Sequence, residues 1–269
     1  MRIPLPESLR PPEGVDIANP APTRDAATIV LLRDGAKGLE TYLLRRRSTL
    51  EFAPGVLVFP GGGVQESDHK PIAWHGPAPS EFAARFLCDE ATARALVVAA
   101  VRETFEESGV LFASPGPEAE FVSDTSAFEA ERRALDAGEL DFADFLASQG
   151  LTLRADLLGA WAHWVTPAFE PRRYDTRFFV AQVPADQRVG ELPGEADRAA
   201  WWPIVDVWPA LESGSVTMLP PTSVTCGELG DLAFVDVPAA IEARAVTHIE
   251  PKLVDDDGQL FLEYALETS

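Results

Sequence analysis

Arg102-Glu103-Thr104-Phe105-Glu106-Glu107-Ser108-Gly109-Val110 is the stretch on which the reading of this chain turns. It closes a run of good helix formers from Thr92 to Ser108, and Gly109 stands where helices usually stop. At about 100° per residue, Glu103, Glu106 and Glu107 occupy i, i+3 and i+4, so their carboxylates share one face. Val97, Val98, Val101 and Phe105 cluster on roughly the opposite face, which suits a helix packed on one side. Three like charges at that spacing repel, each pair costing about 0.2–0.5 kcal/mol. A solvated acidic face is the ordinary explanation of a lone ExxEE. A functional explanation needs a cation, and Mg²⁺ or Mn²⁺ fits, because hard divalent ions take carboxylate oxygen and partner phosphate.

The stretch upstream favours the second explanation. Val56-Leu57-Val58-Phe59-Pro60-Gly61-Gly62-Gly63-Val64 reads as a short apolar strand running into a glycine-rich turn. Together the two segments resemble the box of the Nudix hydrolases: GG, five residues, E, seven residues, then RE-apolar-x-EE-x-G-apolar. Arg102, Glu103, Glu106, Glu107, Gly109 and Val110 match the second half, and Thr104 fills its first apolar slot. The first half has been pulled away. Gly62 and Arg102 stand 40 positions apart where an uninterrupted box separates them by 14, so 26 residues are inserted. The glutamate expected eight positions before Arg102 is missing, since position 94 is Arg94. Glu66 or Glu90 is open as its replacement.

The chain has 269 residues and a hydrophobic content of 46%, ample for a core. It lacks an apolar run near 18 residues, so no membrane span is expected. Cys88 and Cys226, far apart in the chain, suggest no disulfide framework and a reducing, cytoplasmic setting. The final Glu267-Thr268-Ser269 offers no peroxisomal SKL-type address. A formal net charge of −21 argues against nucleic acid as a partner. It leaves room for a phosphorylated small molecule, because ions and a few arginines can reverse the field inside one pocket.

In chain order, residues 1–23 read as an extended or disordered leader, and residues 24–269 as a single domain. Ala26–Arg33 and Leu39–Arg46 form a hairpin around Asp34–Gly38. Arg45, Arg46 and Arg47 leave it together, as a solubilising edge or as phosphate contacts. The insert, about residues 66–90, begins as loop and ends in a helix from Ser80, the expected N-cap, to Leu87. Its few apolar residues and its place inside the box suggest a lid or pocket wall, with His69, Trp74 and His75 as loop residues of interest. Two helices follow between Phe121 and Gly150, split at Gly138. Strands at Leu157–Val165 and Arg177–Val183 flank a connector, Thr166–Thr176, carrying Arg172, Arg173, Tyr174 and two acids. Guanidinium pairs suit phosphate, so Arg46, Arg172, Arg173 and Tyr174 are the substrate-binding candidates, with a structural ion-pair role equally open to Arg172 and Arg173. An acidic loop with Glu191 and Glu195 enters a strand and a short helix. The C-terminal extension, about 215–269, holds an LPPT turn, another helix and two late strands.

The resemblance implies an α/β fold, the α/β/α sandwich with a mixed sheet. It also implies metal-dependent hydrolysis of a nucleoside diphosphate linked to another group. Glu103, Glu106 and Glu107 would hold the Mg²⁺ or Mn²⁺ ions, with the Gly62 carbonyl as a further ligand. Arg102 would brace the glutamates, and Glu195, with Glu191 second, would serve as base or extra ligand. The interrupted box, WxxWVTP…PRRYDTRFF and LPPT together are similar to the peroxisomal-type coenzyme A diphosphatases, which release 3′,5′-ADP and (acyl-)4′-phosphopantetheine. ADP-ribose, NADH or a nucleoside triphosphate remain open as substrates, as do a non-catalytic binding module and a homodimer.

Overall fold

A computed structural model describes residues 2–5, 10–11, 17–47, 55–116, 118–184, 187–190 and 196–265. The central sheet is mixed. It contains β2 (Thr23–Gly35), β3 (Gly38–Arg46), β4 (Leu57–Val58), β5 (Gly61–Gly63), β9 (Gly159–Val165), β10 (Arg173–Gln182), β11 (Ala196–Pro203) and β12 (His248–Ile249). Its order is β11-β3-β2-β10-β9-β12, with β4 on β3 and β5 on β2; β10 runs parallel to β2, and β12 parallel to β9. β6 (Trp74–His75), β7 (Ala113–Ser114) and β8 (Thr152–Arg154) form a small second sheet. β1 (Arg2–Pro4), β13 (Lys252–Asp256) and β14 (Gln259–Glu263) form a third, in which the start of the chain pairs with its late hairpin.

Alternation along the long strands decides the layers. Ala27, Ile29 and Leu31 of β2 face one core, and Val30 and Leu32 the other. The first core is covered by α1 (Pro79–Phe86), α2 (Glu90–Ser108), α3 (Glu129–Asp136) and α4 (Phe142–Ser148). The second is covered by α5 (Ile204–Glu212), α6 (Pro220–Leu229) and α7 (Val237–Ala243). This is the expected α/β/α sandwich.

One irregularity positions the site. β2 and β3 pair only near their shared turn, from Leu32↔Thr41 to Gly35↔Gly38. Beyond it they part, and the β4–β5 segment wedges between them. β4 bonds to β3, β5 bonds to β2, and Ile29 N–H donates to Pro60 O at 3.1 Å. The wedge carries Gly61–Gly63 to the side of α2.

Several expectations are corrected. α1 is capped by the backbone of Ala78 rather than by Ser80: Pro79 opens the helix, and Glu81 accepts from Ala78 N–H at 2.8 Å. The insert is not a lid. Phe82, Ala83 and Phe86 are buried in the main core, with Phe86 and Phe179 rings 5.1 Å apart, and Trp74 joins the second sheet. α2 is buried on nearly every side rather than one, because α1, β2, β5, α3 and the turn at Glu66–His69 surround it. The Thr166–Thr176 connector is shorter than expected, since β10 begins at Arg173.

Candidate active site

α2 begins at a strong cap: Thr92 N–H donates to the Asp89 carboxylate at 2.8 Å. It ends at Gly109, whose φ of +75° and close approach to Gly190 leave no room for a side chain. Between these ends the helix presents Glu103, Glu106 and Glu107 to a cavity of about 790 Å³. Gly61, Gly62 and Gly63 line it too, directly beside them. Gly61 N–H donates to Glu107 at 2.8 Å. Gly62 leaves no space at all: a Cβ there would lie 2.4–2.6 Å from the Glu103 carboxyl group. The two halves of the interrupted box therefore meet, 40 residues apart in sequence.

Behind the glutamates lies a buried ionic knot in which Arg102 braces them, and whose further member, Asp68, sequence reading did not name. Arg102 is only 2% exposed and Asp68 only 1%. Arg102 Nε and Nη2 donate to the two Asp68 oxygens at 2.9 and 3.0 Å, Nη2 also donates to Gly63 O, and Nη1 reaches Glu103 at 2.8 Å and Glu106 at 3.1 Å. Burial alone would lower the Arg102 pKa, but the carboxylates of Asp68, Glu103 and Glu106 reverse this and raise it. Glu106 is pushed up to about 7, first by burial and then by Glu103, against the attraction of Arg102. A further negative charge is therefore costly at this wall unless a cation balances it.

Among the described residues, no three His, Cys, Asp or Glu side chains converge as ligands of one ion in this conformation. Arg102 draws Glu103 and Glu106 toward itself, while Gly61 N–H holds Glu107. The donor set still fits a hard divalent cation: three carboxylates share one cavity, and burial makes the charge of Glu106 expensive.

The other expected residues divide. Arg46, Arg172 and Tyr174 line the cavity. Arg45 does not, being paired with Asp197 at 2.6 Å. Of the two roles open to Arg173, the structure shows the ion pair, and Arg173 is absent from the cavity wall. Its guanidinium is buried, donates to the carbonyls of Thr166 and Ala21, and pairs with Glu250 at 2.5 Å, which pins the start of β10 to the C-terminal segment. Glu66, Glu90, His69, Trp74 and His75 are absent from the cavity wall; Asp68 holds Arg102 instead of either glutamate. Glu191 and Glu195 lie outside the described residues. Asp136 and Glu170 also line the cavity, and sequence reading had singled out neither for it. The one available signal was that Glu170 belongs to the acid-bearing connector.

The sandwich, the glycine wedge and the acidic helix define a Nudix hydrolase domain. Comparison with known proteins agrees. The NUDT19 Nudix domain matches residues 77–226, and this chain belongs to that family. The match starts after the glycine turn, so the displaced half of the box lies outside it. The chain is 31% identical over 178 residues to "Putative nudix hydrolase 7" of Caenorhabditis elegans, covering 66% of this chain and 50% of that protein. It is 24% identical over 217 residues to "Acyl-coenzyme A diphosphatase NUDT19" of Xenopus laevis, covering 68% and 57%. It thus spans about half the length of the curated relatives it matches. A crystal structure of a NUDIX hydrolase from Alicyclobacillus acidocaldarius superposes with a TM-score of 0.67 at 30% identity, over 84% of this chain and 98% of that one. Among the described residues, no helix is long and apolar enough to cross a membrane.

Proposed function

We propose that this chain is a pyrophosphohydrolase that cleaves the diphosphate of coenzyme A or acyl-coenzyme A, releasing 3′,5′-ADP and (acyl-)4′-phosphopantetheine. The observation that carries the reading is the meeting of Gly61–Gly63 with Glu103, Glu106 and Glu107 at one cavity. The substrate choice draws support from relatives named acyl-coenzyme A diphosphatase.

Glu103, Glu106 and Glu107, with the Gly62 carbonyl, would hold Mg²⁺ or Mn²⁺. When bound, the ion supplies positive charge to the diphosphate and activates water. The chain's own residues do the rest. Arg102, clamped by Asp68, fixes the glutamates' direction, and the glycine turn admits the diphosphate close to the helix. A water oxygen attacks one phosphorus, and the bridging oxygen leaves with the other phosphate. The water's proton passes to an acid outside the helix, for which Glu195 is our proposal. Arg46 and Arg172, which line the cavity, are our proposal for meeting the 3′-phosphate.

The test is a product assay with Mg²⁺ or Mn²⁺ across CoA, acetyl-CoA, NADH, ADP-ribose and a nucleoside triphosphate, reading 3′,5′-ADP. Glu106→Gln should lower kcat about a hundredfold or more with the fold intact. Full activity in excess EDTA, or wild-type turnover by that variant, refutes the metal assignment. Arg46→Ala or Arg172→Ala should erase the preference for CoA over 3′-dephospho-CoA, because a charge-assisted phosphate contact contributes about 1.5–3 kcal/mol. Equal turnover of those two substrates by wild type refutes the CoA reading.

A further inference from the structure

The cavity has a second, apolar half, and both ends of the chain build it. Leu5 and Leu262 are buried with Phe169 of the β9–β10 connector in a small core of their own. Leu5 N–H donates to Leu260 O at 2.9 Å, extending the bonding of β1 to β14. These three residues line the same cavity as the box glutamates, and Trp164 and Pro251 continue the apolar wall. Leu5, Pro251 and Leu262 all fall outside the segment matched by the family. The Glu170 carboxyl, in the connector beside Phe169, is raised by burial alone, which marks its surroundings as poor in water and in balancing charge. A phosphate seated here would lose its hydration and meet a carboxylate. A hydrocarbon would lose only its contact with water, which is favourable.

Building on the coenzyme A reading above, we infer that the annex between the terminal sheet and the β9–β10 connector seats the hydrocarbon chain of an acyl thioester. Leu5, Phe169 and Leu262 then set chain-length preference, while the glutamate end of the cavity performs the cleavage. The terminal strands are thereby a specificity element of this chain.

The experiment measures kcat/KM for free CoA, acetyl-CoA, hexanoyl-CoA and lauroyl-CoA. Wild type should gain on the order of tenfold for each two methylenes seated, until the annex is full. Leu5→Trp, which occupies the annex, should flatten that profile across the acyl substrates. S-hexanoyl-pantetheine, which has no diphosphate, gives a check independent of the variant: it should inhibit wild type more strongly than pantetheine does. A flat chain-length profile in a protein that turns over CoA overturns the annex assignment and leaves the coenzyme A reading standing. Equal inhibition by the two pantetheines does the same. Failure to cleave CoA, with ADP-ribose or NADH cleaved instead, removes the coenzyme A reading and the annex assignment together.

Discussion

Replacing Asp68 by alanine removes two charge-assisted hydrogen bonds to Arg102, at 2.9 and 3.0 Å, and the acceptor of Gln65 N–H at 2.8 Å. Both side chains of the pair are essentially inaccessible to water. Breaking such a buried pair costs roughly 3–5 kcal/mol, since the remaining ion has neither solvent nor partner. Glu103 and Glu106 still balance part of the guanidinium charge, so about 3 kcal/mol is expected. Asp68→Asn keeps the shape and one acceptor, and should cost about half as much. The assay is equilibrium urea unfolding followed by tryptophan fluorescence, where an unchanged m with a lower midpoint reports stability. Arg102→Leu should cost more than either variant, because it leaves several buried carboxylates unpaired. Its deficit should shrink on acidification, since buried carboxylates without a counter-ion favour the protonated form. An Asp68→Ala protein within about 1 kcal/mol of wild type would refute the claim that the insert anchors the catalytic helix through this pair.

Other expectations come from single sites. Gly62→Ala sets a methyl group against the Glu103 carboxyl, a flexible side-chain end, so melting should hold while turnover falls at least about tenfold; unchanged turnover would deny the close approach its role. Thr104 is fully buried and its hydroxyl has no partner among the described residues, so Thr104→Val should stabilise by about 1 kcal/mol in the same urea assay. Burial pushes the Tyr42 phenol up to about 12, so the folded protein holds this proton where the unfolded chain releases it near 10. Tyr42's stabilising effect is therefore complete below pH 10 and is lost as pH rises toward 12. A titration of tyrosinate absorbance, wild type against Tyr42→Phe, should show that late proton.

The helix and the glycine turn were legible in sequence because each is a local pattern. RETFEESGV places three carboxylates by helical periodicity alone, Gly109 ends the helix by its tolerance of positive φ, and VLVFPGGGV announces a strand entering a tight turn. The hairpin of β2 and β3 was readable for the same reason. What required the tertiary structure are pairings across long stretches of chain. Asp68 meets Arg102 across 34 positions; sequence offered Glu66 and Glu90 with equal plausibility, because nothing local distinguishes a carboxylate that will be buried. Arg172 and Arg173 are neighbours of identical chemistry. Arg172, just before β10, lines the cavity, while Arg173, the first residue of the strand, pairs with Glu250, 77 residues away, and that division depends on where β10 begins. Leu5 and Leu262 share a wall because β1 adds to β14, a pairing of chain ends that no local pattern encodes. Chemistry of the reacting end was thus written locally. The clamp of Asp68 on Arg102 and the shape of the cavity were settled only by long-range packing, which brings distant residues together and withdraws them from water.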